Sequence, residues 1–129
     1  SVTDMGRFFK DASSFNQDLS NWDTSNVTNM VAMFSYAVNF NKDISSWKTT
    51  KVNFMESMFL YATNFNQNIS KWDTTNVTDM SKMFSNAISF NQNLAGWCVE
   101  GFRTQPNEFD NDAEAWVLPR PNWGNSCIP

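Results

Sequence analysis

The chain repeats itself every 25 residues, and this repeat constrains the fold more than any other feature. The copies are 2–26, 27–51, 52–76 and 77–101, with no insertion or deletion between them. Seven apolar positions recur in every copy, and they form columns that begin at Val2, Met5, Phe9, Ala12, Phe15, Leu19 and Trp22. A fixed period of this length is the signature of a repeat architecture, in which each copy packs on its neighbours.

The two halves of each copy differ in their apolar periodicity. The first half has the stripe of a short amphipathic helix, seen in copy 4 as Val77, Met80, Met83, Phe84 and Ala87. The second half places alternate apolar residues on one face of an extended segment. A unit of this size cannot bury an apolar face alone, so the copies should stack. The sequence therefore predicts an α/β repeat solenoid of four strand-plus-short-helix units.

The six Trp, twelve Phe and seven Met residues fall largely on the repeated columns. We interpret these columns as continuous core, in preference to a Met-rich binding groove, because the methionines share a stripe with Val and Ala. A further column is made of asparagines, Asn16, Asn41, Asn66 and Asn91. Stacked asparagines can satisfy backbone groups at each bend, and we favour this role over ligand contact.

The segment 98–129 departs from the repeat and is expected to cap it, as part of the same domain as the repeat region 1–101. The prolines at 119, 121 and 129 argue against another helix-plus-strand unit. The last copy would otherwise expose an apolar face. The side chains expected to cover that face are Trp116, Val117, Leu118 and Trp123.

The only two cysteines, Cys98 and Cys127, lie at the two ends of this segment. We predict that they form a disulfide, because a cap with little regular structure needs a covalent staple. Such a loop closure stabilises by about 3–4 kcal/mol in the chain-entropy model. It would imply an oxidising compartment, whereas two free thiols would fit a cytosolic protein.

No capping segment precedes copy 1, which enters the repeat at Val2. Either the first copy caps itself, helped by Arg7, Lys10 and Asp11, or further repeats precede it, and we favour the second. We also expect the uncapped end to allow end-to-end self-association.

Composition excludes several classes of function. The chain has no His and only four Gly, so it lacks the residues of a catalytic triad and of a phosphate-binding loop. A net charge of -4 with nine Lys and Arg argues against nucleic-acid binding. No apolar run is long enough to enter a membrane as a spanning helix. The acidic cluster Asp110, Asp112 and Glu114 is best interpreted as a solvated loop. We therefore expect no enzyme activity, cofactor or metal.

The recurring string resembles a known bacterial repeat. From Phe65 to Phe84 it reads FNQNISKWDTTNVTDMSKMF, and it is similar to the bacterial surface protein repeat of BspA-like proteins. That repeat also occurs in listerial and mycoplasma surface lipoproteins. The resemblance covers 2–101 and implies a leucine-rich-repeat-like solenoid with aromatic residues in place of leucines. It also implies cell-surface exposure, adhesion or protein recognition, and no common catalytic motif.

Two groups of outward residues are candidates for binding. The first is the Asx column, which consists of Asp18, Asp43, Asn68 and Asn93, with Ser20, Ser45 and Ser70 beside it. These groups could receive a peptide or a glycan, whereas a Ca²⁺ site would need more than two carboxylates. The second is the tyrosine pair, Tyr36 and Tyr61, which occupy equivalent positions in adjacent copies beside Leu60.

These observations predict a non-catalytic extracellular or cell-surface module that recognises a protein or glycan. An architectural spacer within a large adhesin is the main alternative. A minor alternative is an ice-binding ladder of hydroxyls, because Thr24, Thr49 and Thr74 recur in register, as do Ser25, Thr50 and Thr75.

Overall fold

The computed structural model describes residues 2–127, and in that range the chain has no helix and no strand longer than a single bridge. The bridges are parallel and join Asp4 to Asn29, Asn29 to Phe54, and Phe54 to Asp79. The partners in each bridge are one period apart. Successive copies therefore lie side by side and run in the same direction, and the backbone between the bridges consists of turns, bends and irregular segments.

The predicted α/β solenoid of strand-plus-helix repeats, with its leucine-rich-repeat-like architecture, is therefore wrong. In place of each expected helix, every copy has a turn run, a stretch of six consecutive turn residues at 6–11, 31–36, 56–61 or 81–86. In place of the expected strand, residues 65–69 are irregular and lead into a turn at Ser70.

The backbone hydrogen bonds of the turn run explain why no helix forms. In copy 2 the N–H groups of Ala32 and Phe34 donate to the carbonyls of Glu56 and Met58 in copy 3, both at 2.9 Å. The N–H groups that alternate with these donate three residues back within copy 2, from Met33 to Met30 at 3.3 Å and from Ser35 to Ala32 at 3.2 Å. A helix requires each N–H to donate four residues back within its own segment. Half of these N–H groups are instead directed to the neighbouring copy.

This geometry places the second and sixth residues of each turn run in the left-handed region. The residues concerned are Arg7, Asp11, Ala32, Tyr36, Ser57, Tyr61, Lys82 and Asn86, with φ between 52° and 64°. None of them is glycine, although a Cβ atom costs about 1–2 kcal/mol in this conformation. The stacking of the copies must outweigh that cost.

The apolar columns form the core, as predicted. Phe34 and Phe59 stack with ring centroids 5.7 Å apart and an interplanar angle of 3°. Trp47 and Trp72 stack at 6.3 Å and 3°. The indole N–H of Trp72 also donates to the carbonyl of Ile44 in the preceding copy at 3.0 Å. The two Phe columns stack in this way through all four copies.

The asparagine column has the structural role predicted for it. The Asn41 N–H donates to Asn16 Oδ1 at 2.9 Å, and the Asn66 N–H donates to Asn41 Oδ1 at 2.8 Å. At the far end, Asn91 Oδ1 accepts from the backbone of residues 117 and 118. The column thus joins each copy to the next and then to the cap.

A fifth turn run, at 107–112, stacks on copy 4. The Phe84 N–H donates to the Phe109 carbonyl at 2.8 Å, which continues the ladder between copies. The Phe109 N–H donates to the Pro106 carbonyl at 3.2 Å. This bond is equivalent to the one from the Met83 N–H to the Met80 carbonyl in copy 4. Equivalent residues of copy 4 and of this fifth unit are 26 residues apart, whereas equivalent residues of the four copies are 25 apart. The one-residue insertion hides the unit from a search for the 25-residue period.

An ion pair closes the end of the stack. Asp110 accepts from Arg120 Nε at 2.9 Å, and the Arg120 guanidinium lies 4.4 Å from the centre of the Trp116 ring. Trp116 is buried and Trp123 packs on the core, as predicted. Val117 and Leu118 are exposed, so their predicted role as cover is wrong.

The predicted disulfide is confirmed. Cys98 and Cys127 are bonded, with Cα atoms 5.2 Å apart. The bridge holds the two ends of the capping segment together. Phe109 and Ala113, which sequence analysis did not select, supply the rest of the buried cover.

The strain in the turn run can be tested by one chemical change at two positions. Ser57→Gly should leave the free energy of unfolding unchanged or raise it by up to about 1 kcal/mol, because glycine removes the Cβ penalty. Ser70→Gly, outside the left-handed region, should lower it by about 0.5–1 kcal/mol. Urea unfolding would measure both, and equal losses in the two variants would contradict the strain.

The indole ladder can be tested with two matched substitutions. Trp72→Phe should destabilise by about 1–3 kcal/mol, because the Ile44 carbonyl loses the indole donor and keeps only the Trp47 N–H at 3.2 Å, and because the smaller ring leaves a cavity in the core. Trp22→Phe should cost less, because Trp22 is half-buried and its indole N–H has no partner among residues 2–127. Thermal unfolding of both variants would measure the difference, and a larger loss at Trp22 would contradict the ladder.

Candidate binding surface

The Asx column lies along the surface, one exposed residue per copy. In each copy its side-chain oxygen accepts a hydrogen bond from the backbone N–H two residues later. The distance is 2.8 Å from Ser20 to Asp18 and from Ser45 to Asp43, and 3.0 Å from Ser70 to Asn68 and from Ala95 to Asn93. The column therefore forms a series of Asx turns, and one oxygen of every member is used to hold the backbone.

The adjacent serines also contribute to these turns. Hydrogen bonds from the Ser45 hydroxyl and N–H lower the pKa of Asp43, and those from Ser20 lower the pKa of Asp18. Both carboxylates are consequently ionised at neutral pH. Their bonds to serine are local, so these hydroxyls are not free in the way that an array of surface donors would require.

The threonine ladder is not on the surface. Thr24, Thr49 and Thr74 are buried. The Thr49 hydroxyl donates to the carbonyl of Asp73 in the next copy at 2.9 Å, and the Thr74 hydroxyl donates to Cys98 at 2.7 Å. The hydroxyls hold neighbouring copies together, so this column is not available to an ice surface, whereas Thr50 and Thr75 of the second hydroxyl column are exposed.

The tyrosine pair is exposed and stacked. The rings of Tyr36 and Tyr61 are 4.7 Å apart with an interplanar angle of 13°, and the residues are 42% and 38% exposed. Both are in the left-handed region, with φ of 61° and 56°. A bulky residue is an outlier in this conformation. At this position the other turn runs have Asp11, Asn86 and Asp112, the residue types that it tolerates best.

Two aliphatic side chains lie close in sequence to the positions that the tyrosine pair occupies in its copies. Leu60 precedes Tyr61 and is half-buried. Ile88 is 44% exposed and follows two positions after Asn86, the copy 4 member of the tyrosine column. Sequence analysis did not select Ile88, whose equivalents in copies 1 to 3 are Ser13, Val38 and Thr63.

A pair of carboxyl groups lies at the junction between copies 3 and 4. Burial raises the pKa of Glu56, and the neighbouring Asp79 raises it further. The pKa of Asp79 is lowered although burial opposes this, because the Ser81 N–H and hydroxyl both donate to it at 2.9 Å and Glu56 donates as well. Of the two carboxyl groups, Glu56 is thus the one that takes up a proton more readily, and its Oε1 is buried without a partner within 2–127.

This pair predicts a pH-dependent stability. Folded Glu56 binds a proton more tightly than unfolded Glu56, so its contribution destabilises the fold as pH rises above the ordinary value of 4.5. Glu56→Gln should therefore be more stable than wild type at pH 7, and the difference should shrink as pH falls below 4.5. Urea midpoints across this range would measure it. Glu114→Gln, at an exposed site, controls for charge, and a pH-independent difference would contradict the assignment.

One cluster in the described range has metal-ligand residue types, namely Cys98, Glu100 and Cys127. The two sulfur atoms are bonded to each other, so neither is a thiolate ligand. Glu100 Oε2 accepts from the Cys127 N–H at 3.1 Å. The cluster borders a cleft of about 560 Å³ lined by the turns of copies 3 and 4. The disulfide and the hydrogen bond from the Cys127 N–H to Glu100 therefore use these groups to hold the capping segment together.

Comparison with known proteins assigns the chain to a family. A family model described as "Mycoplasma protein of unknown function, DUF285" matches residues 1–97. The chain belongs to this family. The match spans nearly all of the four copies, so the part of the resemblance that concerned mycoplasma repeat proteins is confirmed. Searches of the curated proteins and of the solved structures found no match. Residues 2–127 contain no helix able to cross a membrane.

Proposed function

We propose that this DUF285 repeat is a non-catalytic recognition module that binds a protein ligand through the tyrosine pair. The observation that carries the proposal is the strained placement of Tyr36 and Tyr61. Strained backbone persists where the surroundings enforce it, and it is concentrated at functional sites. Asn would occupy these positions at lower cost. Tyrosine adds nothing to the core there, because both rings lie at the surface.

The chemistry of the pair favours a protein surface as ligand. Tyr is enriched in protein interfaces, where its ring supplies contact area and its hydroxyl supplies a hydrogen bond. The rings are stacked on each other, so their edges and hydroxyls are the groups most open to a partner. Leu60, next to Tyr61 in the chain, and the exposed Ile88 of copy 4 are apolar side chains that such a partner could also contact.

Placement at a cell surface or outside the cell is part of the proposal. The disulfide supports it, because such bonds persist in oxidising compartments. The resemblance of the repeated string to BspA-like surface repeats supports it too, and suggests adhesion as the context of binding.

The spacer alternative has a structural argument of its own. The Asx column and its serines are used in turns, and the threonines are used between copies. These polar columns can all be explained by the architecture alone. A pure spacer would bind nothing through this segment, and the tyrosines would be neutral to attachment.

A double substitution separates the two functions. Tyr36→Asn with Tyr61→Asn should keep the fold, because the gain of about 1 kcal/mol per relieved residue offsets a stacking loss of about 0.5–1.5 kcal/mol. Binding to the ligand that the wild type captures on a protein array should fall by about 30-fold or more, the effect of losing an interface hot spot.

The matched control is Asp18→Asn with Asp43→Asn, which keeps the Asx turns and should leave protein binding unchanged. A wild type that captures no protein would favour the spacer. Capture on a glycan array instead, with loss in the aspartate variant, would move recognition to the Asx column.

A further inference from the structure

The N-terminal end of the stack presents an apolar face with no cover among the described residues. This N-terminal face consists of Val2, Met5, Phe8, Phe9 and Trp22. Phe8 is 58% exposed and Val2 is 51% exposed, values far above those of the apolar columns inside the stack. A concavity of about 330 Å³ opens between Val2, Met5, Phe8 and Trp22. The face is continuous with the Phe and Trp ladders behind it.

The backbone at this face carries a row of unpaired acceptors. At each junction inside the stack, carbonyls of one copy accept from alternate N–H groups of the copy before. In copy 2 the acceptors are the carbonyls of Asn29, Val31, Met33 and Ser35. The equivalent carbonyls in copy 1 are those of Asp4, Gly6, Phe8 and Lys10, and within 2–127 none of them accepts a hydrogen bond.

The same face also has unpaired donors. The indole N–H of Trp47 donates to the Leu19 carbonyl of the copy before, and the Asn41 N–H donates to Asn16 Oδ1. The equivalent groups in copy 1 are the indole N–H of Trp22 and the backbone N–H of Asn16. Neither has an acceptor in the described range. The pattern of acceptors and donors is that of one side of an internal junction.

We infer that the N-terminal face is an inter-copy interface whose occupant is one further 25-residue copy of the same repeat. Such a copy presents alternate N–H groups to the four carbonyls, a carbonyl to the Trp22 indole and an asparagine oxygen to the Asn16 N–H. Its phenylalanines would continue the ladder in which Phe9 and Phe34 are 5.5 Å apart. A further copy therefore matches both the hydrogen bonds and the rings of this face.

A second copy of the whole chain fits this face poorly. In a two-fold arrangement the rows of carbonyls would oppose each other, and acceptors cannot pair with acceptors. In a head-to-tail arrangement the face would meet the capped end. There, Asp110 is paired with Arg120 at 2.9 Å, and covering the pair with Phe8 would bury charge at a substantial cost.

The test is an in-register fusion to the full chain. Residues 27–51 are joined directly ahead of Val2, in place of Ser1. The urea m-value should rise by roughly a fifth, in proportion to the added buried surface, and the thermal midpoint should rise. Binding of an apolar dye should fall. Hydrogen exchange at the Asn16 amide should slow by at least 10-fold as it gains an acceptor.

The control fusion has Phe34→Asp and Phe40→Asp in the added copy only, and it should behave like the unfused chain. An intact fusion that leaves dye binding and Asn16 exchange unchanged would overturn the inference. Sedimentation of the unfused chain tests the rival occupant. A dimer that Phe8→Asp abolishes would show that a second chain takes this face, and would overturn the inference as well.

Discussion

The structure depends on hydrogen bonds that leave one copy and end in the next. Every second N–H of a turn run donates to the neighbouring copy. This arrangement fixes the spacing between copies, and the spacing brings identical side chains into contact. The stacked rings of Phe34 and Phe59 and the indole bonds of the Trp ladder follow from it. The strain accompanies it, because left-handed residues such as Ala32 and Tyr36 are themselves donors to the next copy.

The columns were predictable from the sequence, whereas the backbone was not. A strict period identifies which residues lie above one another, and burial then follows from their hydrophobicity. The same apolar spacing in Val77, Met80 and Met83 fits a helix and a turn run equally well, because both bury one stripe. What distinguishes the turn run from a helix is the left-handed backbone at residues such as Ala32 and Ser57. Glycine at these positions would have indicated that conformation, but neither residue is glycine. The fifth turn run was concealed by a single inserted residue before Phe109.

The candidate surface was predictable in part. Equivalent positions in adjacent copies were enough to predict that Tyr36 and Tyr61 stack. Their strain depends on φ, which the sequence does not report. The Asx column was interpreted as outward-facing, and the structure shows that its oxygens hold turns. A local signal was available, because Asp-x-Ser recurs at Asp18, Asp23 and Asp43, and such residues often accept from the backbone two positions later.

The direction of the inter-copy bonds has a mechanical consequence. These bonds point along the axis of the stack, so tension applied between its two ends would load the junctions in series. Each copy contacts only the copies next to it. The copies would therefore unfold one at a time, as the bonds of one junction break. Each released copy would lengthen the chain by about 80–90 Å. Unravelling from Val2 would stop at Cys98, because the disulfide keeps the last loop closed. A fibre of such copies would extend in steps and retain a closed end.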